Sequence, residues 1–133
     1  MFDSIEKVVY INLAHRTDRK EQTEKHLTNL FSSEKIVRFE AIKHDNGAIG
    51  CTMSHISILE MAMKENWKNI LILEDDIGWK TNNNNSSILT KLMNSKYDVI
   101  LLSGYYVKYD KETFRLKSAQ TTGAYIVNNS YYD

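Results

Sequence analysis

The sequence predicts an α/β fold whose central strands lie inside a parallel sheet. Two apolar runs carry this reading. Ile70-Leu71-Ile72-Leu73, set between polar neighbours, has the pattern of a strand buried on both faces, and Val99-Ile100-Leu101-Leu102 repeats it within Tyr97 to Ser103. The third observation is the trio of adjacent carboxylates, Glu74, Asp75 and Asp76, directly after the first run. A strand interior does not tolerate three unpaired acids, so they belong just past its carboxyl end, the edge where open α/β sheets bind ligands. Alternation along a strand sends Glu74 and Asp76 to one side and Asp75 to the other. Two carboxylates on one side suit a hard divalent cation, and a solvated acidic turn explains them equally well.

Val8-Val9-Tyr10-Ile11 is a short β-branched and aromatic run and predicts the first strand. The polar stretch from Asn12 to Arg19 leads into a helix that Asp18 is expected to cap, with Glu21 as its capping-box partner. Glu21 and Lys25 form a favourable i,i+4 pair, while Leu27, Leu30 and Phe31 anchor the far end. Arg16 and Arg19 fall where this strand delivers the chain to the ligand edge. Two arginines there suit phosphates, and ordinary surface charge accounts for them as well.

Val37 to Ala41 alternates apolar and polar residues and predicts a half-buried strand near an edge. His44-Asp45-Asn46-Gly47 is turn chemistry. Gly50-Cys51-Thr52 then opens a helix running to about Glu65, with Ile56, Leu59, Ala62 and Met63 on one face and Ile58 and Met61 widening it. Glu60 and Lys64 mark its solvent side, and His55 on the inward side reads as a hydrogen-bonded structural histidine. Gly78 to Ser87, with its run of asparagines from Asn82 to Asn85, predicts a mobile loop before a short helix carrying Ile88, Leu89, Leu92 and Met93. Tyr105 to Leu116 predicts a hairpin turning near Asp110-Lys111-Glu112. Gly123 to Val127 is the last strand, and Asn128 to Asp133 reads as the opening of a helix.

At 133 residues the chain fits one domain with a modest core. Its formal net charge is zero and no basic block stands out, so bulk electrostatics give nucleic-acid binding no support. Cys51 is the only cysteine, which fits a reducing compartment. Met1 to Tyr10 carries Asp3, Glu6 and Lys7 and does not resemble a signal peptide, and no stretch approaches a membrane span. A cytoplasmic location follows, the host cytoplasm for a viral chain. The sequons at Asn84, Asn85 and Asn128 are then expected to stay unmodified.

Several pieces now stand in one order. Val9-Tyr10-Ile11-Asn12-Leu13 with Arg16 and Arg19 comes first, then Arg38-Phe39-Glu40-Ala41-Ile42 and Gly50-Cys51 with Ser54-His55. Ile72-Leu73-Glu74-Asp75-Asp76 and Gly123-Ala124-Tyr125 complete the series. This order resembles glycosyltransferase family 25, which includes lipopolysaccharide-type galactosyltransferases and collagen hydroxylysine galactosyltransferases. The pairing of Gly-Cys-x-x-Ser-His with Leu-Glu-Asp-Asp about twenty residues later is its specific part. A phospho-receiver domain shares the acidic strand end but needs far more chain after it than Ile77 to Asp133 provides.

The resemblance implies a GT-A type nucleotide-sugar-binding fold, a mixed, mostly parallel sheet flanked by helices, with residues 1–133 as one domain shortened at the carboxyl end. It implies a UDP-sugar donor, galactose or glucose, transferred with inversion to an unidentified glycan, glycolipid or protein, with Mn²⁺ or Mg²⁺ as cofactor. Asp76 and Glu74 are then expected to hold the metal, and Asn12, Arg16, Arg19, Gly50, Ser54, His55, Glu74 and Asp75 to bind the donor. The base is left unassigned, since family members usually continue beyond the Gly-Ala-Tyr strand. The alternative is a UDP-sugar-binding protein or slow donor hydrolase without transfer activity. A homodimer is expected as well, covering Val99 to Leu102, Ala124 to Val127 and the tyrosines 105, 106, 125, 131 and 132.

Overall fold

Alternating β-branched runs and amphipathic stretches settle into three layers. The computed structural model describes residues 2–78 and 83–133. Its main sheet contains β1 (Lys7–Asn12), β2 (Ile36–Glu40), β3 (Asn69–Glu74), β4 (Val99–Leu101) and β7 (Ala124–Asn128). A separate hairpin pairs β5 (Tyr105–Tyr109) with β6 (Leu116–Gln120). The helices are α1 (Thr17–Thr28), α2 (Gly47–Lys64) and α3 (Asn83–Asn94). The sheet order is β2-β1-β3-β7-β4. β1 pairs in parallel with both β2 and β3, whereas β7 runs antiparallel to β3 and to β4. β1, β2, β3 and β4 therefore share a direction, giving the mixed, mostly parallel sheet that the sequence led us to expect.

β3 sits at the centre because both its faces are apolar. Leu71 and Leu73 pack with Val8, Tyr10, Leu27 and Phe31, and Leu89, Leu92 and Met93 of α3 close that side. Ile70 and Ile72 face the opposite way, toward Ile58 and Ala62 of α2. All four residues are at most 1% exposed. Burial of each is worth about 1.5–3 kcal/mol before entropy is counted. Two helices thus cover one face of the sheet and one covers the other. Among the described residues no helix is long and apolar enough to cross a membrane.

Several expectations need correction. Asp18 does not cap α1; Arg16 holds the N-cap position, and Asp18 spends its carboxylate on the Arg16 guanidinium instead. α2 starts at Gly47 rather than Gly50 because the Asn46 side chain accepts from Ala48 N at 3.0 Å. It ends in a Schellman turn. Asn66 takes φ of 59° there, and Trp67 N donates to Ala62 O.

The sheet-facing stripe of α2 is Gly50, Ser54, Ile58 and Ala62, while Ile56 and Met63 face solvent. Ala62, Ile58, Leu59 and Met61 pack toward the sheet as expected. The small residues Gly50 and Ser54 complete the stripe and let the helix approach closely, which hydrophobicity alone did not mark. β4 is shorter than Tyr97 to Ser103 and lies at an edge with Val99 exposed, because β7 takes the place beside β3. Of the expected mobile loop, residues 79–82 lie outside the described residues. Positions 83–87 are helical, drawn into α3 by the apolar face further along it. The last residues form only a single 3₁₀ turn, Asn129–Tyr131.

Candidate functional site

Because four strands share a direction, their carboxyl ends meet at one edge, joined by the amino end of β7. β1 brings Asn12 there, only 2% exposed. Its amide donates to Asp75 Oδ2 at 2.8 Å and to the Arg16 carbonyl at 3.1 Å. Its carbonyl oxygen accepts from Arg38 Nε at 3.1 Å and Nη2 at 3.0 Å. Two donors and two lone pairs are all an asparagine side chain has, so Asn12 is fully committed. Asn12, expected to bind the donor, is buried and saturated here, and it fixes the turn after β3.

Asp75 completes this group. Arg19 Nη1 lies 3.4 Å from its Oδ1, and the Thr23 hydroxyl donates to its backbone carbonyl at 3.2 Å. Arg19, Thr23, His26, Asp75 and Asp76 line a cleft of about 290 Å³ between α1 and the 75–78 turn. Asp76 is exposed and, among the described residues, has no hydrogen bond or ion pair. It was expected to share a side with Glu74; it opens with Asp75 toward α1. The strand ends at Glu74 and a turn begins, so the alternation of side chains stops there.

Glu74 belongs to a second group on the α2 side. Cys51 and His55 stand one turn apart on that helix. The Cys51 thiol donates to Glu74 Oε1 at 3.5 Å, and His55 Nε2 lies 3.6 Å from the same oxygen. The other ring nitrogen, Nδ1, shares a hydrogen bond of 2.6 Å with the Tyr125 hydroxyl, and Thr122 Oγ1 is 3.4 Å from Nε2. The hydrogen bond to His55 holds the Glu74 carboxyl below the usual glutamate range, against the opposing effect of burial. Partial desolvation first, then the Glu74 charge, pushes the Cys51 thiol up. Burial likewise raises the Tyr125 phenol well above its ordinary value.

Gly50 and Ser54 fasten α2 to the loop after β2. A Cβ on Gly50 would meet Ile42 O at 2.6 Å, so only glycine permits the approach. The Ser54 hydroxyl donates to Gly50 O and accepts from Ile42 N at 2.9 Å. Ser54, expected to bind the donor, is fully buried, with its hydroxyl engaged by α2 and the 42–44 loop. Arg16 reaches the site through its carbonyl, while its guanidinium makes a two-pronged pair with Asp18 at the surface. Sequence reasoning did not assign Thr23, Arg38, Thr122 or Tyr125 to the site. Arg38 carried a signal, since a charge within a half-buried strand needs a partner. Thr122 and Tyr125 reach His55 across about seventy residues; Tyr125 stood in the Gly123-Ala124-Tyr125 piece without a site role, and Thr122 carried no signal.

A larger cavity of about 710 Å³ lies among α3, β4 and the hairpin, lined by Leu89, Leu92, Leu102, Val107, Phe114 and Leu116. Size and chemistry disagree here. The larger cavity is apolar, and the charged groups line the smaller one.

Residues 45–131 match the family model described as glycosyltransferase family 25 (LPS biosynthesis protein). That span runs from the start of α2 through β3 to the last 3₁₀ turn. No curated protein gives a significant match to the chain.

Proposed function

Because the chain belongs to glycosyltransferase family 25, we propose that it moves galactose or glucose from a UDP-sugar to an acceptor hydroxyl, with metal assistance and inversion at the anomeric carbon. The sheet is read as the GT-A type. The observation that carries this reading is Asp75 and Asp76 at the carboxyl end of β3, opening with Arg19 onto one cleft. At about 290 Å³ it stands near the lower end of ligand-site sizes, room for one part of a nucleotide sugar.

The charges of the cleft suit a diphosphate carried with a cation. Mn²⁺ and Mg²⁺ take oxygen ligands, commonly one or two carboxylates plus substrate phosphates. Asp76, with no competing partner among the described residues, would hold such an ion. When bound, the ion neutralises charge that grows on the departing UDP. Arg19 supplies a guanidinium fork to the same oxygens. Asp75 keeps Arg19 beside the cleft, and Asn12 keeps Asp75 in place. Inversion further requires the acceptor hydroxyl to attack opposite the leaving UDP and to give its proton to a base.

Titration calorimetry with UDP, UDP-glucose and UDP-galactose, with and without Mn²⁺, tests the donor site. A transfer assay with several sugar acceptors then tests the chemistry. Cation-dependent binding with transfer supports the proposal. Cation-dependent binding with only slow hydrolysis identifies a donor-binding protein, and absence of UDP binding in both conditions overturns the reading altogether.

Two copies are proposed to pair through β4 and the hairpin, where Val99, Tyr105, Tyr106, Val107 and Leu116 are exposed. Tyr125 and Tyr132 take no part. Tyr125 is engaged with His55, and Tyr132 is buried with its hydroxyl on Trp67 O. A reducing, cytoplasmic setting fits the exposed, unpaired Cys51.

A further inference from the structure

We propose that Cys51, His55 and Glu74 form a three-ligand site for a borderline-soft divalent metal ion of the Zn²⁺ type, with a fourth position open. This inference does not rest on the transferase reading. The site takes its donors from α2 and the end of β3, across that strand from the Asp76 cleft.

Three observations support it. One sulfur, one imidazole nitrogen and one carboxylate oxygen all lie within 4.8 Å of one another. Metal bonds of about 2.0–2.3 Å at tetrahedral angles set donor–donor edges of about 3.3–3.5 Å. Here Sγ–Oε1 is 3.5 Å and Nε2–Oε1 is 3.6 Å, so two of the three edges need almost no adjustment.

The second observation is the support behind His55. Its Nδ1 is bonded to the Tyr125 hydroxyl at 2.6 Å, and the two rings stack at 24° with centroids 5.6 Å apart. A ligating histidine characteristically uses its far nitrogen in this way, which fixes the ring and aims the near nitrogen at the metal. Tyr125 lies on β7 and the ligands lie on a helix and a strand, so rigid elements hold every part.

The third is the donor set itself. Thiolate, imidazole and carboxylate together select Zn²⁺ over Mg²⁺ or Mn²⁺, which prefer all-oxygen surroundings. Cys51 is exposed and the Glu74 side chain is 32% exposed, so an ion has a path in. Three protein ligands with the fourth position left to water or a ligand oxygen is the pattern of exchangeable zinc sites rather than closed structural ones.

Co²⁺ is the test ion, because thiolate ligation gives it a charge-transfer band and tetrahedral geometry gives it intense visible bands. The full chain, freed of metal by a chelator, should develop both at one equivalent of Co²⁺, and Zn²⁺ should abolish them. Cys51→Ser, a small change at an exposed position, should lose the charge-transfer band and bind Zn²⁺ at least about tenfold more weakly. Tyr125→Phe should keep the band but weaken the ion by about tenfold. Asp76→Asn should leave spectrum and affinity unchanged, which separates this site from any cation that travels with a diphosphate. Absence of both bands in the unmodified chain overturns the proposal. So does a Cys51→Ser protein, folded by circular dichroism, that binds Co²⁺ with the original spectrum and affinity.

Discussion

Asn12 and Asp75 lie 63 residues apart in sequence and are joined by a hydrogen bond of 2.8 Å at the carboxyl edge of the sheet. The bond ties the exit of β1 to the turn after β3, while Arg38 holds the other end of the same amide. Asn12→Ala leaves one carboxylate oxygen of Asp75 and the Arg38 guanidinium without their partner in a half-buried place. The expected loss is about 2–3 kcal/mol, because unsatisfied buried groups cost more than the bond itself contributes. Urea denaturation measures it. A loss below about 0.5 kcal/mol would mean water replaces the amide freely.

Two glycines in α2 separate packing from helix propensity. Gly50→Ala places a methyl 2.6 Å from Ile42 O, and a backbone oxygen cannot swing away. Overpacking should cost about 1–3 kcal/mol, although alanine is the better helix former by about 1 kcal/mol. A methyl group at Gly47 would meet nothing within 4 Å, so Gly47→Ala should be neutral or slightly stabilising. Equal effects at the two positions would show that α2 does not bear on the 42–44 loop as closely as described.

At the cleft, Asp76→Ala is expected to fold normally and to weaken UDP binding in Mn²⁺ by at least about tenfold, since water replaces a lost carboxylate poorly. Calorimetry at fixed Mn²⁺ is the measurement. Unchanged, cation-dependent affinity would remove Asp76 from the metal site.

Alkaline pH should destabilise the protein through its buried tyrosines. Burial, then the charges of Glu6 and Tyr97, pushes Tyr132 up to about 12 from its ordinary 10.0. A raised folded value means the phenol favours the native state fully below pH 10. That contribution is lost as pH rises through about 12. Burial raises Tyr10 and Tyr125 in the same direction. Unfolding free energy should therefore fall steeply over this window, with a shallower slope in Tyr132→Phe. Tyrosinate absorbance that rises fully at the ordinary value, with the protein still folded, would contradict the burial of these rings.

Light scattering at micromolar concentration should give the mass of a dimer. A charged residue at exposed Val99 on the edge strand, Val99→Lys, should shift it toward monomer. A monomer at all concentrations would show that β4 and the hairpin are adequately covered as they stand.

Much of the fold was legible because β3 is apolar on both faces and Asn46-Gly47 punctuates the chain before α2. The Leu-Glu-Asp-Asp and Gly-Cys-x-x-Ser-His segments led to the correct family for the same local reason. The features that escaped were long-range or depended on small residues. Nothing near Ala124 announces that its strand will run antiparallel between β3 and β4. Nothing near Ile56 shows that Gly50 and Ser54 will face the sheet while Ile56 itself turns to solvent. The parting of Glu74 from Asp76 depends on where the strand stops, a boundary that composition does not mark.

β7 enters the middle of the sheet although it is the last of the five strands to leave the ribosome. Until residues 124–128 emerge, β3 is sealed along β1 and open along its other side. A nascent chain therefore carries an apolar strand with unpaired peptide groups throughout the synthesis of α3 and the hairpin, an invitation to mispairing with neighbouring chains. Thr122 and Tyr125 arrive on the same late segment, so His55, already facing Glu74, receives these two partners only when that gap closes. A chain ending before β7 is therefore expected to aggregate, and to lack the Tyr125 and Thr122 contacts to His55.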